Sequence, residues 1–311
     1  MDGYKAAGAR WLRFNFSWAH IQYFGPTYYN WAPYDHIVKE ASARNIRILG
    51  VIAIAPPWAN PLAAKGDPYP PLSPADYGKF ARETAQRYAP LGVRHWEIWN
   101  EPNVPAFWKP APNVVDYFQL LKEGYAGIKT VDPGATVMIG GLARVDPDAI
   151  HVSPVGTVVS GVPPVTFLRR LYELGANPFF DAVGWHPYSA PGGPLEQTQY
   201  GNAWLELPEA RALMESVGDG GKRIWLTEYG FSTGGAEDSP WKVSEARQAE
   251  LLQQAYDLAA EYPWAGPLFW YTYRDTGGDQ NDAFNFFGIV RHDFSPKPAF
   301  LRYQALSKRA R

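Results

Sequence analysis

The chain has 311 residues, 46% of them hydrophobic, which is ample for a sizeable core, and α/β barrels use this length as one domain. A formal net charge of −2 gives no basic footprint for nucleic acid or an anionic membrane, and no run reaches the roughly 18 to 20 apolar residues of a membrane span. The absence of cysteine excludes disulfides, thiolate metal sites and a cysteine nucleophile, without fixing the compartment.

The opening Met1-Asp2-Gly3-Tyr4-Lys5-Ala6-Ala7-Gly8 is not a signal peptide and reads as the tail of a helix, with Gly8 as its stop. Something upstream is therefore expected to be missing, and a secreted or periplasmic location is favoured if a leader was removed there. Trp11 to Trp18 is a predicted strand with Arg13, Asn15 and Ser17 on one face and Leu12, Phe14 and Phe16 on the other. The polar face must look into a site or a barrel interior. A helix follows from about Pro33 to Arg44, and Arg47 to Ile54 is a nearly continuous apolar strand, as expected when both faces are buried. Pro56-Pro57-Trp58 opens a long loop to Leu72, after which Ser73 as N-cap and Pro74 at the first position start a helix to about Tyr88.

The run His95-Trp96-Glu97-Ile98-Trp99-Asn100-Glu101-Pro102-Asn103 reads at period two as a strand. His95, Glu97, Trp99 and Glu101 share one face, Trp96, Ile98 and Asn100 share the other, and Pro102 is the stop. A loop carrying Phe107 and Trp108 leads to a helix from about Val114 to Thr130. The alternation continues: strands at Thr136 to Leu142, Ala182 to Tyr188, Ile224 to Tyr229 and Pro267 to Tyr273, and helices at Thr166 to Leu174, Pro208 to Ser216, Glu245 to Glu261 and Pro296 to Lys308. This order argues a parallel sheet closed into one barrel over residues 1–311, a (β/α)8 TIM barrel. Only seven strands are found.

Two of them deliver a glutamate at the tip. Glu101 ends the first, and Arg223-Ile224-Trp225-Leu226-Thr227-Glu228-Tyr229-Gly230 delivers Glu228, with Gly230 letting the chain turn. A pair of strand-tip carboxylates suits glycoside cleavage, where one is protonated to assist the leaving oxygen and the other is ionised to attack or to activate water.

Trp96-Glu97-Ile98-Trp99-Asn100-Glu101-Pro102, together with Leu226-Thr227-Glu228-Tyr229-Gly230, resembles the retaining glycoside hydrolases of clan A, the 4/7 superfamily. The flavour is that of family 39 and of bacterial exopolysaccharide hydrolases similar to it, with family 5 next. Many family 5 enzymes carry a histidine where this chain has Pro56-Pro57-Trp58. The resemblance implies that Glu101 ends strand four as acid/base and that Glu228 ends strand seven as nucleophile. Trp11 to Trp18 is then strand two, and strand one is either truncated from the sequence or supplied from elsewhere.

The same resemblance gives Asn100 the sugar 2-hydroxyl, Arg13 the task of holding Glu228 ionised, Tyr188 a contact with the nucleophile, His186 a network or subsite place, and Trp270 a sugar platform. An ion pair of Arg13 with Glu97 deeper in the barrel is the competing reading. Trp58, Trp108 and Trp18 stand in or near loops at the same mouth, and an extended aromatic cleft favours an oligosaccharide or polysaccharide substrate. The expected protein is a monomer needing no cofactor or metal.

Other classes leave weaker traces. Gly230-Phe231-Ser232-Thr233-Gly234 matches a nucleophile-elbow pattern, with Asp275 and His292 following in the order a serine esterase needs, but Ser232 lies well before the next helix start. A non-catalytic or truncated carbohydrate-binding barrel is the other alternative. Asp275 to Asp282 has the composition of a calcium loop or of a solvated one.

Overall fold

The computed structural model describes residues 1–64, 66–145, 151–152 and 158–309. The strands are β1 Trp11–Ser17, β2 Arg47–Ala53, β3 His95–Ile98, β4 Thr136–Ala143, β5 His151–Val152, β6 Val158–Val159, β7 Ala182–His186, β8 Arg223–Tyr229 and β9 Ala265–Trp270. The helices are α1 Asp2–Ala7, α2 Trp18–Ile21, α3 Ala32–Ser42, α4 Pro74–Tyr88, α5 Val114–Val131, α6 Pro164–Glu173, α7 Leu207–Ser216, α8 Glu245–Glu261 and α9 Pro298–Arg309.

Helix ends follow their capping residues. Ser73 accepts the Asp76 amide to open α4, Asn113 accepts the Val115 and Asp116 amides to open α5, and Ser244 accepts the Arg247 amide to open α8. Gly8, at φ 82°, ends α1 in the left-handed region that an L side chain resists.

Seven strands form one parallel sheet in the order β1-β2-β3-β4-β7-β8-β9, with register Trp11↔Arg47 through Ser17↔Ala53 at its first pair. The sheet curls but does not close, since β1 and β9 are not hydrogen-bonded neighbours. This is the TIM barrel short of a strand that the sequence predicts. The antiparallel ribbon β5–β6 was not marked by any alternation in the sequence.

Two layers of packing set the site. Outside, helix tyrosines satisfy strand-end backbone: Tyr77 Oη donates to the Ile52 carbonyl at 2.7 Å, and Tyr117 Oη donates to the Ile98 carbonyl at 2.9 Å while accepting the Gly140 amide. Inside, Leu49, Met138, Ala182, Trp225 and Phe269 pack with Trp11. The Trp11 ring meets His95 and Trp225 edge-on at 4.8 and 5.1 Å. This apolar floor closes the N-terminal end of the barrel, so inward polar groups collect toward the C-terminal end, where barrel chemistry is placed.

One expectation needs correction. β3 stops at Ile98, three residues before Glu101, and the chain then turns through positive φ at Trp99 (68°) and Glu101 (45°). Period two therefore fails after Ile98. The Trp99 ring swings outward against Trp108 and Tyr77, its Nε1 donating to the Phe107 carbonyl, while Asn100 points inward. Positive φ at non-glycine residues costs on the order of 1–3 kcal/mol and is held by surrounding contacts, typically at functional sites.

Candidate active site

Arg13 is the first inward residue above the aromatic floor on β1, and its guanidinium organises three partners. Nε donates to Glu97 Oε2 at 2.7 Å, Nη2 donates to Asn100 Oδ1 at 2.6 Å, and Nη1 donates to Glu228 Oε1. The two readings of Arg13 left open by the sequence are both realised. Glu97 is wholly buried, and its other oxygen accepts Thr227 Oγ1 at 3.0 Å. The neighbouring Gly184 leaves it room, since a Cβ there would stand 2.6 Å from Glu97 Oε1.

His186 ends β7 beneath the pair of tip carboxylates. Its Nδ1 is 2.7 Å from Glu101 Oε1 and 3.7 Å from Glu228 Oε2. Gly141 makes this position possible, because a Cβ there would sit 2.0 Å from His186 Nε2. Tyr188 Oη donates to Glu228 Oε2 at 2.9 Å. One ligating atom each from Glu101, His186 and Glu228 lie within 4.8 Å of one another.

The two carboxyls are pushed apart in acidity. Burial raises Glu101, and the charge of Glu228 adds to that, against an opposing pull from His186 and Arg13. Burial acts on Glu228 in the same sense, but His186, Arg13 and the Tyr188 hydroxyl outweigh it and leave the carboxyl below its ordinary value. The His186 imidazole is lowered by burial but raised more by Glu228 and Glu101, for a net rise. Among the described residues this is the group of three ligating side chains that converges. A metal there would lie against the fixed Arg13 cation, which already occupies Glu228, so the donor set suits proton transfer better than cation binding.

The aromatic expectations divide. Trp270 lines the cavity that holds Arg13, Asn100, Glu101, Tyr188 and Glu228 and packs edge-on against Tyr229. Trp58 is half-buried and braces two loops, its Nε1 donating to the Gln22 carbonyl at 2.7 Å. Trp108, at 1% exposure, and Trp18, at 0%, are core residues and offer no face to a sugar. Trp108 packs on Trp99 and Tyr117, and Trp18 on Phe80. Loop tryptophans are as useful for pinning loops as for binding, which is why position alone did not separate the buried Trp108 and Trp18 from residues that face the mouth.

Other lining residues escaped the sequence reading. Trp241, Tyr271 and Phe287 line the cavity, and Trp241 meets Tyr188 edge-on at 5.2 Å. Asn103 ties the loop after Glu101 to β4, donating to the Ala143 carbonyl and accepting the Ala143 amide. Only Asn103 had a local signal, as the last residue of the Asn-Glu-Pro-Asn run.

The esterase pattern is overturned. Ser232 is fully buried with Oγ donating to the Gly234 and Ala283 carbonyls, and Asp275 binds Lys297 and the Gly288 amide instead of His292. That pairing also takes Asp275 out of the acidic loop, where Asp279 and Asp282 accept backbone amides.

No protein-family model matches the chain. A family 39 glycoside hydrolase from the gut symbiont Bacteroides cellulosilyticus WH2 superposes with a TM-score of 0.75 at 22% identity, over 98% of this chain and 59% of that one. The fold is that of the family 39 glycoside hydrolases. A monomeric β-xylosidase from Caulobacter crescentus CB15 superposes with a TM-score of 0.69 at 20% identity, over 98% of this chain and 63% of that one. In sequence, a β-xylosidase of Geobacillus stearothermophilus is 32% identical over 164 residues, 46% of this chain. The chain spans only 30% of the length of that relative. No helix among the described residues is long and apolar enough to cross a membrane.

Proposed function

We propose that residues 1–311 form the catalytic barrel of a retaining β-glycoside hydrolase acting on β-linked oligo- or polysaccharide, β-xylosides being the first substrates to try. The observation that carries this is the pair Glu101 and Glu228, with oxygens within 4.8 Å of one another and acidities displaced in opposite directions. Retaining pairs stand about 5 to 5.5 Å apart, whereas an inverting pair needs roughly 6.5 to 9.5 Å to admit water.

In this reading Glu228, ionised beside Arg13, attacks the anomeric carbon while Glu101 gives its proton to the departing glycosidic oxygen. The bond to the leaving group breaks as the ester bond to Glu228 forms. Water then enters, Glu101 takes its proton, and the anomeric carbon passes from the ester to the water oxygen, freeing Glu228. Asn100 supports the first step. Its Oδ1 is engaged by Arg13, which turns its amide nitrogen toward the cavity as a donor for the sugar 2-hydroxyl. Trp270, with Trp241 opposite Tyr188, supplies apolar faces for sugar rings. A monomer suffices for this site, since each group named comes from one chain.

The test is incubation with a 2-deoxy-2-fluoro-β-xylosyl fluoride, followed by peptide mapping, and proton NMR of the first product formed from an aryl β-xyloside or a β-linked oligosaccharide. A covalent sugar on Glu228 and a β-configured first product are expected. An α-configured product, or labelling elsewhere with Glu228 untouched, would overturn the assignment.

A further inference from the structure

Phe284 is 61% exposed, yet it lines the same cavity as Glu101 and Glu228. It stands on the loop after β9, in a single 3₁₀ turn at Ala283–Asn285, and its ring stacks on that of Phe287 with centroids 5.8 Å apart and planes 19° from parallel. Phe287 is 1% exposed, so it backs one face of Phe284 and leaves the other to solvent. Ring contacts lead inward from there. Phe287 meets Trp241 at 5.8 Å, Trp241 meets Tyr188 at 5.2 Å, and the Tyr188 hydroxyl binds Glu228.

We propose that Phe284 is the platform of a remote subsite, which takes the apolar face of a sugar lying at least one unit from the bond cleaved and so makes the enzyme favour oligosaccharides over single glycosides. This rests on the reading of Glu101 and Glu228 as a glycosidase pair. The occupant follows from continuity and shape. The open face of Phe284 belongs to the wall of the cavity that holds both carboxyls, so a chain seated at Glu228 and leaving along Trp241 and Phe287 passes over it. A flat ring backed on one side and wetted on the other suits a sugar, whose C–H face needs an apolar plane while its hydroxyls stay in water.

The platform is held by polar groups that the two carboxyls do not need. Asp282 Oδ1 accepts the Phe284 amide at 2.9 Å, and Ser232 Oγ donates to the Ala283 carbonyl at 2.7 Å. Lys297, at 1% exposure, donates through Nζ to Thr233 Oγ1 at 2.7 Å, to Asp275 Oδ1 at 2.8 Å and to the Phe286 carbonyl at 3.2 Å, which uses all three of its protons. Glycines let the two loops close on each other. A Cβ on Gly234 would stand 2.4 Å from Phe286 Cδ2, and one on Gly235, at φ 113°, would stand 2.8 Å from Ala283 Cβ. A buried ion pair is weak evidence for stability. Here it ties the loop of Phe284 to the loop that leads to Trp241, and a ring fixed in this way loses little freedom when a ligand settles on it.

The test is kcat/KM along series running from an aryl β-glycoside to the hexasaccharide of β-linked xylose, glucose, mannose and galactose, for wild type, Phe284→Ala and Phe284→Trp. In the series that is turned over best, wild type should gain with chain length until the ring is reached. Phe284→Ala should lose about tenfold more on the hexasaccharide than on the aryl glycoside of the same sugar. Phe284→Trp should keep the gain, because it keeps a flat apolar face. Turnover that does not rise with chain length in any series, or a loss in Phe284→Ala that is equal at all lengths, would overturn the subsite and leave the glycosidase reading standing. Turnover of none of these compounds, with no fluorosugar on Glu228, would overturn that reading and the subsite with it. Self-association that Phe284→Ala weakens, beside an unaltered length profile, would assign the ring to a contact between copies and would also overturn the subsite.

Discussion

Arg13 donates through Nε to Oε2 of Glu97 at 2.7 Å, and that glutamate has no exposure to solvent. The pair anchors the guanidinium at the level where its remaining nitrogens reach Asn100 and Glu228. The fork geometry of arginine suits this, because one rigid planar group serves three acceptors. Glu97 is thus a support for the reactive end of the barrel, although it is set too deep to touch a sugar.

Arg13→Met should leave buried Glu97 without its cation, with Thr227 as its remaining side-chain partner. Removing one member of a buried pair costs about 3–5 kcal/mol, read as a lower urea midpoint. Glu97→Gln added to Arg13→Met should restore part of that stability, since it removes the stranded charge while keeping an acceptor for Thr227. It should not restore turnover, because Glu228 still lacks its cation. Equal losses in the single and double variants would show that the loss does not arise from a Glu97 carboxylate stripped of its cation.

The opposed acidities of Glu101 and Glu228 make activity bell-shaped in pH. Turnover needs Glu228 ionised, which holds above its lowered pKa, and Glu101 protonated, which holds below its raised one. Stability follows a related rule with its own signs. Glu228 contributes stability above its unfolded value that is lost as pH falls through the lowered folded pKa. His186, whose pKa is raised, contributes stability below its unfolded value that is lost as pH rises through the folded one. Glu101 acts in the same direction as His186, because its protonated form is the one favoured by burial. Melting temperature should therefore decline on the alkaline side, and Glu101→Gln should flatten that decline, as scanning calorimetry across pH would record. An alkaline decline identical in wild type and Glu101→Gln would argue against a raised Glu101.

Trp270 and Trp108 should fail in different ways. Trp270 lines the cavity, so Trp270→Ala should raise KM for an aryl β-xyloside by about tenfold, corresponding to 1–2 kcal/mol of lost ring contact. Trp108 is buried against Trp99 and Tyr117, so Trp108→Ala should cost about 3–5 kcal/mol in unfolding free energy and change KM little in the molecules that remain folded. Steady-state kinetics paired with thermal melts separates the two.

The same contrast explains what was legible in the sequence. The alternation of apolar strands and capped helices reports local physics, so α4 starts where Ser73 and Pro74 place it. The two glutamates were legible because each stands in a run whose spacing is short-range. The inward turn of Asn100 was not, since it follows from positive φ at Trp99 and Glu101, conformations that only tertiary packing can hold. Trp241 was likewise hidden: it sits in an irregular loop with no period, and only the fold brings it to Tyr188. The seven-strand count was visible from the pattern alone. The cavity running through the wall between β1 and β9 could be seen only in three dimensions.

Tyr188 offers the sharpest probe of Glu228, because one atom can be removed without disturbing the packing around it. The hydroxyl donates to Glu228 Oε2 at 2.9 Å, on the carboxylate's other oxygen from Arg13, while the ring packs against Trp241. Tyr188→Phe keeps the ring contact and deletes the donor. A hydrogen bond to a charged acceptor is worth about 1.5–3 kcal/mol, so turnover should fall by roughly one to two orders of magnitude if the bond orients the attacking oxygen. Losing a donor to the ionised form also raises the Glu228 pKa, so the acid limb of the pH profile should move to higher pH while the alkaline limb, set by Glu101, moves less. A fall in turnover with both limbs fixed would mean that Tyr188 touches the sugar and leaves the carboxylate's charge unaltered.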